Sequence, residues 1–343
     1  MKKIHIHDVS LRDGSHAISH QLNKEQIISY CIAANNAGIA TMEVGHGNGL
    51  GASSIQVGLS RLTDEEMLTT AKENLKSTKL AVHVMPGFAT INKDLRNAFD
   101  WGVDLIRVAC HCTEADITER HISFGRERGK EVIGALMMTH MASKETLLEE
   151  ALKMQSYGAE GVVLYDSAGS YLPIDVTEKV GYLSPRINIP IGFHAHNNLG
   201  MAIANSIAAI ESGAQIIDGA IRGFGAGAGN AQLEVLVAVF QKLGYESGIS
   251  LFKILDAAEI AQETILMEIP TIKNLSIISG ISGVFSGFAK HVDRVSKEFD
   301  IDPREIFIEL GRRKVVAGQE DLIVEVAIEL KKIKSTNNSI ENG

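Results

Sequence analysis

The chain has 343 residues, 45% hydrophobic and 22% charged, so it can bury a large core without disulfides and is not a disordered polymer. A net charge of −9 argues against a dedicated nucleic-acid binder, and no apolar run is long enough to span a membrane. The three cysteines cannot build a disulfide framework and fit a reducing, cytoplasmic setting, and Met1 to Val9 lacks the apolar stretch of a signal peptide.

Short β-branched runs alternate with amphipathic stretches along most of the chain. Ile4 to Val9 predicts the first strand. Asn23 to Ala37 predicts a helix capped by Asn23. Thr41 to Val44 reads as the second strand, and Thr63 to Leu75 as a helix opened by a Thr63–Glu66 capping box. Strands follow at Leu80 to Met85, Leu105 to Ala109 and Val132 to Met137. Ser143 to Tyr157 carries a leucine-rich helical face. The last three strands are expected at Gly161 to Tyr165, Ile189 to His194 and Ile216 to Ile221. Gly38, Gly102, Gly158 and Gly213 each close a helix-like stretch shortly before a strand, where a left-handed residue ends a helix. Eight units of roughly 25–30 residues fill about 220–245 residues, the size of a (β/α)8 TIM barrel in the α/β class. A doubly wound sheet shares this alternation, but no GxGxxG follows the first strand.

Beyond about Tyr245 the pattern turns helical. Leu251 to Ile265 reads as a helix, and Ser276 to Phe288 as an apolar, glycine-rich segment. Further helices are expected at Phe288 to Phe299, Pro303 to Leu310 with Asp302 as N-cap, and Glu320 to Lys332. The expected division is a barrel over 1–262, a small, mostly helical C-terminal domain over 263–334, and a polar, disordered tail over 335–343.

In a barrel of this kind catalytic groups sit at the carboxyl ends of the strands. Arg12, Asp13 and His16 follow strand one, and Glu43 and His46 end strand two. His83 lies on strand three, Arg107 on strand four, and Asp166 and Ser167 end strand six. Strand seven ends in His194, His196, Asn197 and Asn198, and strand eight leads into the glycine loop 223–230. Residues i and i+2 of a strand point the same way, so His194 and His196 converge. With Asp13 from the adjoining first strand they form a two-histidine, one-carboxylate metal site with open positions, suited to Mn²⁺, Mg²⁺, Co²⁺ or Fe²⁺. Packing histidines are the alternative. Arg12 is a fixed cation for a developing oxyanion or an ion-pair partner of Glu43, which itself orients Arg12 or His16. His16 is a candidate general base or acid. The glycine loop is either an anion cradle or a tight turn. Cys110 and Cys112 read as small buried thiols, and His5 and His7 as hydrogen-bonded interior residues.

With these residues in place, the chain resembles the 4-hydroxy-2-oxovalerate aldolases, within the metal-dependent barrel group that includes hydroxymethylglutaryl-CoA lyase and isopropylmalate synthase. The likeness runs from about Ile6 to Leu330, in the runs DVSLRDGSHAISHQ, EVGHGNGLGASS, HAHNNLGMAIANS, GAGAGNAQLEV and GRRKVVAGQEDLI. The resemblance implies a divalent cation, usually Mn²⁺, on Asp13, His194 and His196. It implies that Arg12 stabilises a pyruvate enolate, that His16 takes the proton of the substrate's 4-hydroxyl, and that Glu43 completes an Asp-Arg-Glu set. The implied reaction is retro-aldol cleavage of 4-hydroxy-2-oxopentanoate to pyruvate and acetaldehyde by a class II aldolase, a carbon–carbon lyase of aromatic hydrocarbon catabolism. Substrate contacts are expected from Arg12, Ser167, His194 and Phe285. The resemblance also implies an oligomer in which the C-terminal domain docks an acylating acetaldehyde dehydrogenase that receives the aldehyde through a channel.

Two positions depart from the family pattern. GVFS, with Phe285, stands where the family usually has GVYS, and DSAG has Ala168 where glycine is common. A related acyl-CoA lyase or Claisen synthase is the alternative. Those usually carry Glu-Arg in the glycine loop, where this chain has Ala226 and Gly227. A partner-docking subunit with a degenerate site is a third reading, opposed by the complete set of site residues.

Overall fold

The computed structural model describes residues 2–266, 268–316 and 318–341. In chain order the elements are β1 (His5–Leu11), α1 (Lys24–Ala37), β2 (Thr41–Val44), α2 (Asp64–Asn74), β3 (Lys79–Val84), α3 (Arg96–Asp100), β4 (Leu105–His111), α4 (Glu119–Glu127), β5 (Glu131–Met137), α5 (Lys144–Ser156), β6 (Val162–Asp166), α6 (Pro173–Leu183), β7 (Ile191–Ala195), α7 (Ala202–Glu211), β8 (Ile216–Gly219) and α8 (Leu233–Lys242). They are followed by α9 (Leu251–Thr264), α10 (Asn274–Ser282), α11 (Ala289–Phe299), α12 (Pro303–Arg312) and α13 (Asp321–Glu341).

The eight strands pair in parallel in sequence order, and β8 returns to β1 with His7 opposite Asp218, which closes a (β/α)8 barrel. The local signals act as expected. Asn23 and Thr63 each form a capping box with the residue three places on. The four helix-ending glycines all have positive φ, from +91° at Gly38 to +111° at Gly213. Several strand ends differ by one or two residues, because the ladder continues while a neighbour offers partners. β1 runs on to Leu11 and brings Arg12 and Asp13 directly to its mouth.

Two faces of the sheet are buried differently. Outward residues such as Ile6, Met42, Leu80, Val108, Leu164 and Phe193 pack under the helices. Inside, Ala81, Leu105, Ile133, Ala135 and Val163 form an apolar cluster. At alternate positions on the same strands stand His7, Glu43, His83, Arg107, His194 and Asp218, all buried. His5 and His7 both bond Thr41 Oγ1, at 2.7 and 2.6 Å, which bears out their reading as interior residues. Cys110 and Cys112 are buried free thiols.

After α9, which completes the barrel core with Ile254, Ala257 and Ala261, a second core forms. It gathers Phe288, Val292, Ile306, Phe307, Leu310, Ile323 and Val326. The last helix, α13, is assigned as far as Glu341. Residues 342–343 lie outside the described residues. Among the described residues no helix is long and apolar enough to cross a membrane.

Candidate active site

The mouth of the barrel is assembled from β1, β2, β7 and β8. Past Leu11 the chain makes a single short turn, 13–16, that presents Asp13 inward and His16 at the rim. Gly14 is required there, because any Cβ would collide with the Phe224 ring. Asp13 Oδ1 accepts from Arg12 Nη1 at 2.9 Å, and Oδ2 accepts from Asn230 Nδ2 at 2.6 Å. Arg12 Nε donates to Glu43 Oε2 at 2.6 Å, while Arg12 Nη2 is buried without a partner.

At the end of β7 the i, i+2 spacing of His194 and His196, the latter just past the strand, brings their Nε2 atoms to 3.3 Å. The ligand atoms of Asp13, His194 and His196 all lie within 4.8 Å of one another, and the three residues are buried. Asp218, one strand over, accepts from His194 Nδ1 at 2.9 Å and from Arg107 Nη1 at 2.8 Å. Arg107 Nη1 also stands 3.4 Å from Glu43 Oε1. A continuous ion-pair chain therefore runs Asp13, Arg12, Glu43, Arg107, Asp218 and ends on His194.

The electrostatics follow from this chain. Burial alone would raise the Asp13 carboxyl, but His196 and Arg12 outweigh it and hold it well below the usual carboxylate range. Burial likewise opposes ionisation of Asp218, yet Arg107 and the His194 bond bring it down to about 2. Glu43 is held well below its ordinary value by Arg12 and Arg107 against the burial that would raise it. Burial pushes His196 and His16 each down to about 4, so both imidazoles are neutral at neutral pH.

The arrangement fits a divalent cation. With Asp218 accepting at Nδ1, His194 keeps its Nε2 lone pair for a ligand. Two nitrogens bound side by side to one ion at about 2.1 Å stand about 3 Å apart, close to the separation seen here. Three buried carboxylates face two guanidiniums in the chain of ion pairs, which leaves one negative charge in excess. Asn230 Oδ1 is also buried and unpartnered beside Asp13.

Of the residues singled out in the sequence, Arg12, Asp13, Glu43, His194 and His196 come together, and His16 stands at the rim. Ser167 lies on the loop after β6, where its Oγ accepts from Met138 N at 3.0 Å. Phe285 is half-buried in the segment after α10, edge-on to Phe288 at 5.7 Å. Its neighbour Ser286 donates its N–H to Ser167 O at 3.2 Å. Sequence reasoning assigned no role to Asp218, Asn230 or Arg107. Asp218 was findable, because it sits two residues after the inward Ile216 on β8. Asn198 was noted only as a strand-end polar residue. It is a buried hub whose side chain bonds Ala168 O, Ser286 Oγ and Ala228 N.

The HMGL-like family model matches residues 3–261, and the DmpG-like communication domain model matches residues 270–332. A protein from Spirochaeta aurantia called 4-hydroxy-2-oxovalerate aldolase is 60% identical over 333 residues, covering 97% of each chain. The chain belongs to the 4-hydroxy-2-oxovalerate aldolase family. Another aldolase of that name, from Pectobacterium atrosepticum, is 58% identical over 342 residues, covering 100% of this chain and 99% of its own. Among solved structures, the carboxyl transferase domain of Rhizobium etli pyruvate carboxylase superposes with a TM-score of 0.80 at 14% identity, over 97% of this chain and 61% of that one. That likeness carries the fold alone. The aldolase family is thus placed on this barrel by full-length sequence similarity.

Proposed function

We propose that this chain cleaves 4-hydroxy-2-oxopentanoate, also called 4-hydroxy-2-oxovalerate, to pyruvate and acetaldehyde, as a carbon–carbon lyase of the aldolase family. The observation that carries the reading is the convergence of Asp13, His194 and His196 beside an arginine with a free N–H and a neutral rim histidine. Asp13, His194 and His196 would hold a divalent cation, Mn²⁺ first, with Mg²⁺ or Co²⁺ as substitutes. When bound, such an ion supplies Lewis acidity toward the keto and carboxylate oxygens of a 2-oxo acid.

The remaining roles belong to this chain's own side chains. Arg12, held by Glu43 and Asp13, points its unpartnered Nη2 N–H toward an oxygen that gains charge. Glu43 and Arg107 fix that orientation. His16 accepts the proton of the 4-hydroxyl. As it does, the C3–C4 bond breaks, O4 becomes the aldehyde carbonyl, and the electron pair passes to C3 as pyruvate enolate. A proton delivered to C3 then gives pyruvate. Ser167, His194 and Phe285 contact the substrate in this reading. The charge balance agrees, since a dication and a substrate carboxylate together cancel the single excess negative charge of the buried chain.

The helical unit after about residue 263 is read as the docking surface for an acylating acetaldehyde dehydrogenase, in a cytoplasmic, oligomeric assembly. The match to a communication domain supports that part. The test is pyruvate release from a panel of 4-hydroxy-2-oxo acids, with EDTA and then Mn²⁺ add-back. Metal-dependent release from the five-carbon substrate is expected. Release that EDTA does not touch, or none from any 4-hydroxy-2-oxo acid, would sink the reading.

A further inference from the structure

Among the described residues no side chain hydrogen-bonds the His16 ring. The ring stands edge-on to His20, at 5.0 Å, and more distantly to His46, at 6.5 Å. It also lies directly over Gly47, where an added Cβ would collide with it. With no side-chain hydrogen bond, its position depends on these packing contacts and on the backbone of the turn 13–16 and the residues just after it. That backbone is unusual. Ser19 and His20 have φ of +54° and +62°, a region that residues other than glycine rarely adopt. Backbone bonds from His20 N to Ser15 O at 2.7 Å and from Arg61 N to His20 O at 3.1 Å hold the far end of the segment, and the His16 end has a further tie.

From the first turn of α11, Lys290 reaches across to this segment. Its Nζ lies 2.9 Å from His16 O, 3.4 Å from Ala17 O and 2.9 Å from Ser19 Oγ. Three acceptors match the three N–H donors of an ammonium group. His16 O also accepts from Ser19 N at 3.2 Å, so Lys290 fills the second lone pair of that carbonyl, and a cation at the end of a helical turn complements its dipole. Lys290 is 274 residues from His16 in sequence and comes from the C-terminal helical region.

We propose that Lys290 is a positioning residue for the catalytic base: by holding the carbonyl of His16 itself, the C-terminal helical region sets where the imidazole stands over the substrate's 4-hydroxyl. The proposal rests on His16 acting as base. A lysine that merely tidies a surface turn would touch stability and leave turnover alone. A positioning lysine changes turnover, because proton transfer is steeply sensitive to geometry. It leaves the Asp13, His194 and His196 cluster and Arg12 undisturbed, since none of its bonds reaches them.

The experiment uses the full chain loaded with Mn²⁺ and compares K290M, K290R, H16A and K290M/H16A. Cleavage kinetics, inhibition by oxalate as a planar mimic of pyruvate enolate, and Mn²⁺ affinity are measured on each. K290M is expected to lower kcat about tenfold, given how steeply misplacement of a catalytic group costs rate. Oxalate inhibition and Mn²⁺ affinity should stay within about twofold of wild type, as expected of an independent site. K290R should recover most of the loss, because a guanidinium also reaches the two carbonyls and the hydroxyl. In the H16A background K290M should add less than about twofold, since residues acting through one another do not add. The proposal is overturned if K290M turns over like wild type, if K290R is no better than K290M, or if oxalate inhibition weakens in step with kcat. An H16A variant that cleaves at the wild-type rate instead sinks the base assignment itself. A slow H16A beside an unaffected K290M sinks the Lys290 role alone.

Discussion

Asp218 Oδ2 stands 2.9 Å from His194 Nδ1 and, held low in pKa by Arg107, can only accept the proton on that nitrogen. The bond fixes His194 in the tautomer that leaves Nε2 free as a ligand. Asp218→Asn removes the charge that enforces this choice. Mn²⁺ affinity should fall by about 10–100-fold, the usual cost of losing such a supporting partner. Calorimetric titration of the metal-free protein with Mn²⁺ measures it, and an unchanged affinity would show that Asp218 does not support the ligand.

His16→Ala should slow cleavage by about 100-fold or more while Mn²⁺ stays bound, because general base catalysis is lost and the ligand set is intact. The pH profile makes the same point in the wild type. Burial pushes His16 down to about 4, so its base form persists through neutrality and is lost only as pH falls through that value. The acid limb of kcat/KM for cleavage should therefore lie well below pH 6.5, the ordinary histidine value. An acid limb at the ordinary histidine value, absent from His16→Ala, would place His16 in a far wetter setting than the structure does.

Gly14→Ala tests the packing of the turn that carries Asp13. Its Cβ would strike the buried Phe224 ring. Overpacking of this kind costs about 1–3 kcal/mol, to be read as a lower thermal midpoint together with weaker Mn²⁺ binding. A variant as stable as wild type would mean that the Phe224 loop yields easily.

Phe285→Tyr adds a hydroxyl to a ring beside the Ser286–Ser167 contact. A shift of about tenfold in the ratio of kcat/KM between short and long aldehyde products is expected, or a change in product stereochemistry, since one pocket contact discriminates on that scale. Product ratios and chirality measured in the synthetic direction with several aldehydes decide it. No change in either would remove Phe285 from the substrate contacts.

The alternation of strands and helices, the caps at Asn23 and Thr63 and the left-handed glycines such as Gly38 were all legible in the sequence, because each is set by residues within a few positions of one another. The convergence of His194 and His196 was legible for the same reason, as a two-residue repeat at one strand end. The tertiary structure alone decided which groups stand behind them. Asp218 meets His194 because β8 pairs with β7, Arg107 reaches Asp218 from 111 residues away across the barrel, and Asn230 returns to Asp13 over 217 residues. The clamp of Lys290 on the His16 turn left no trace in either local pattern. A surface lysine and a loop histidine acquire a joint role only when the chain folds the C-terminal helices over the barrel mouth, since a hydrogen bond is made by distance in space and sequence spacing fixes distance only within one element.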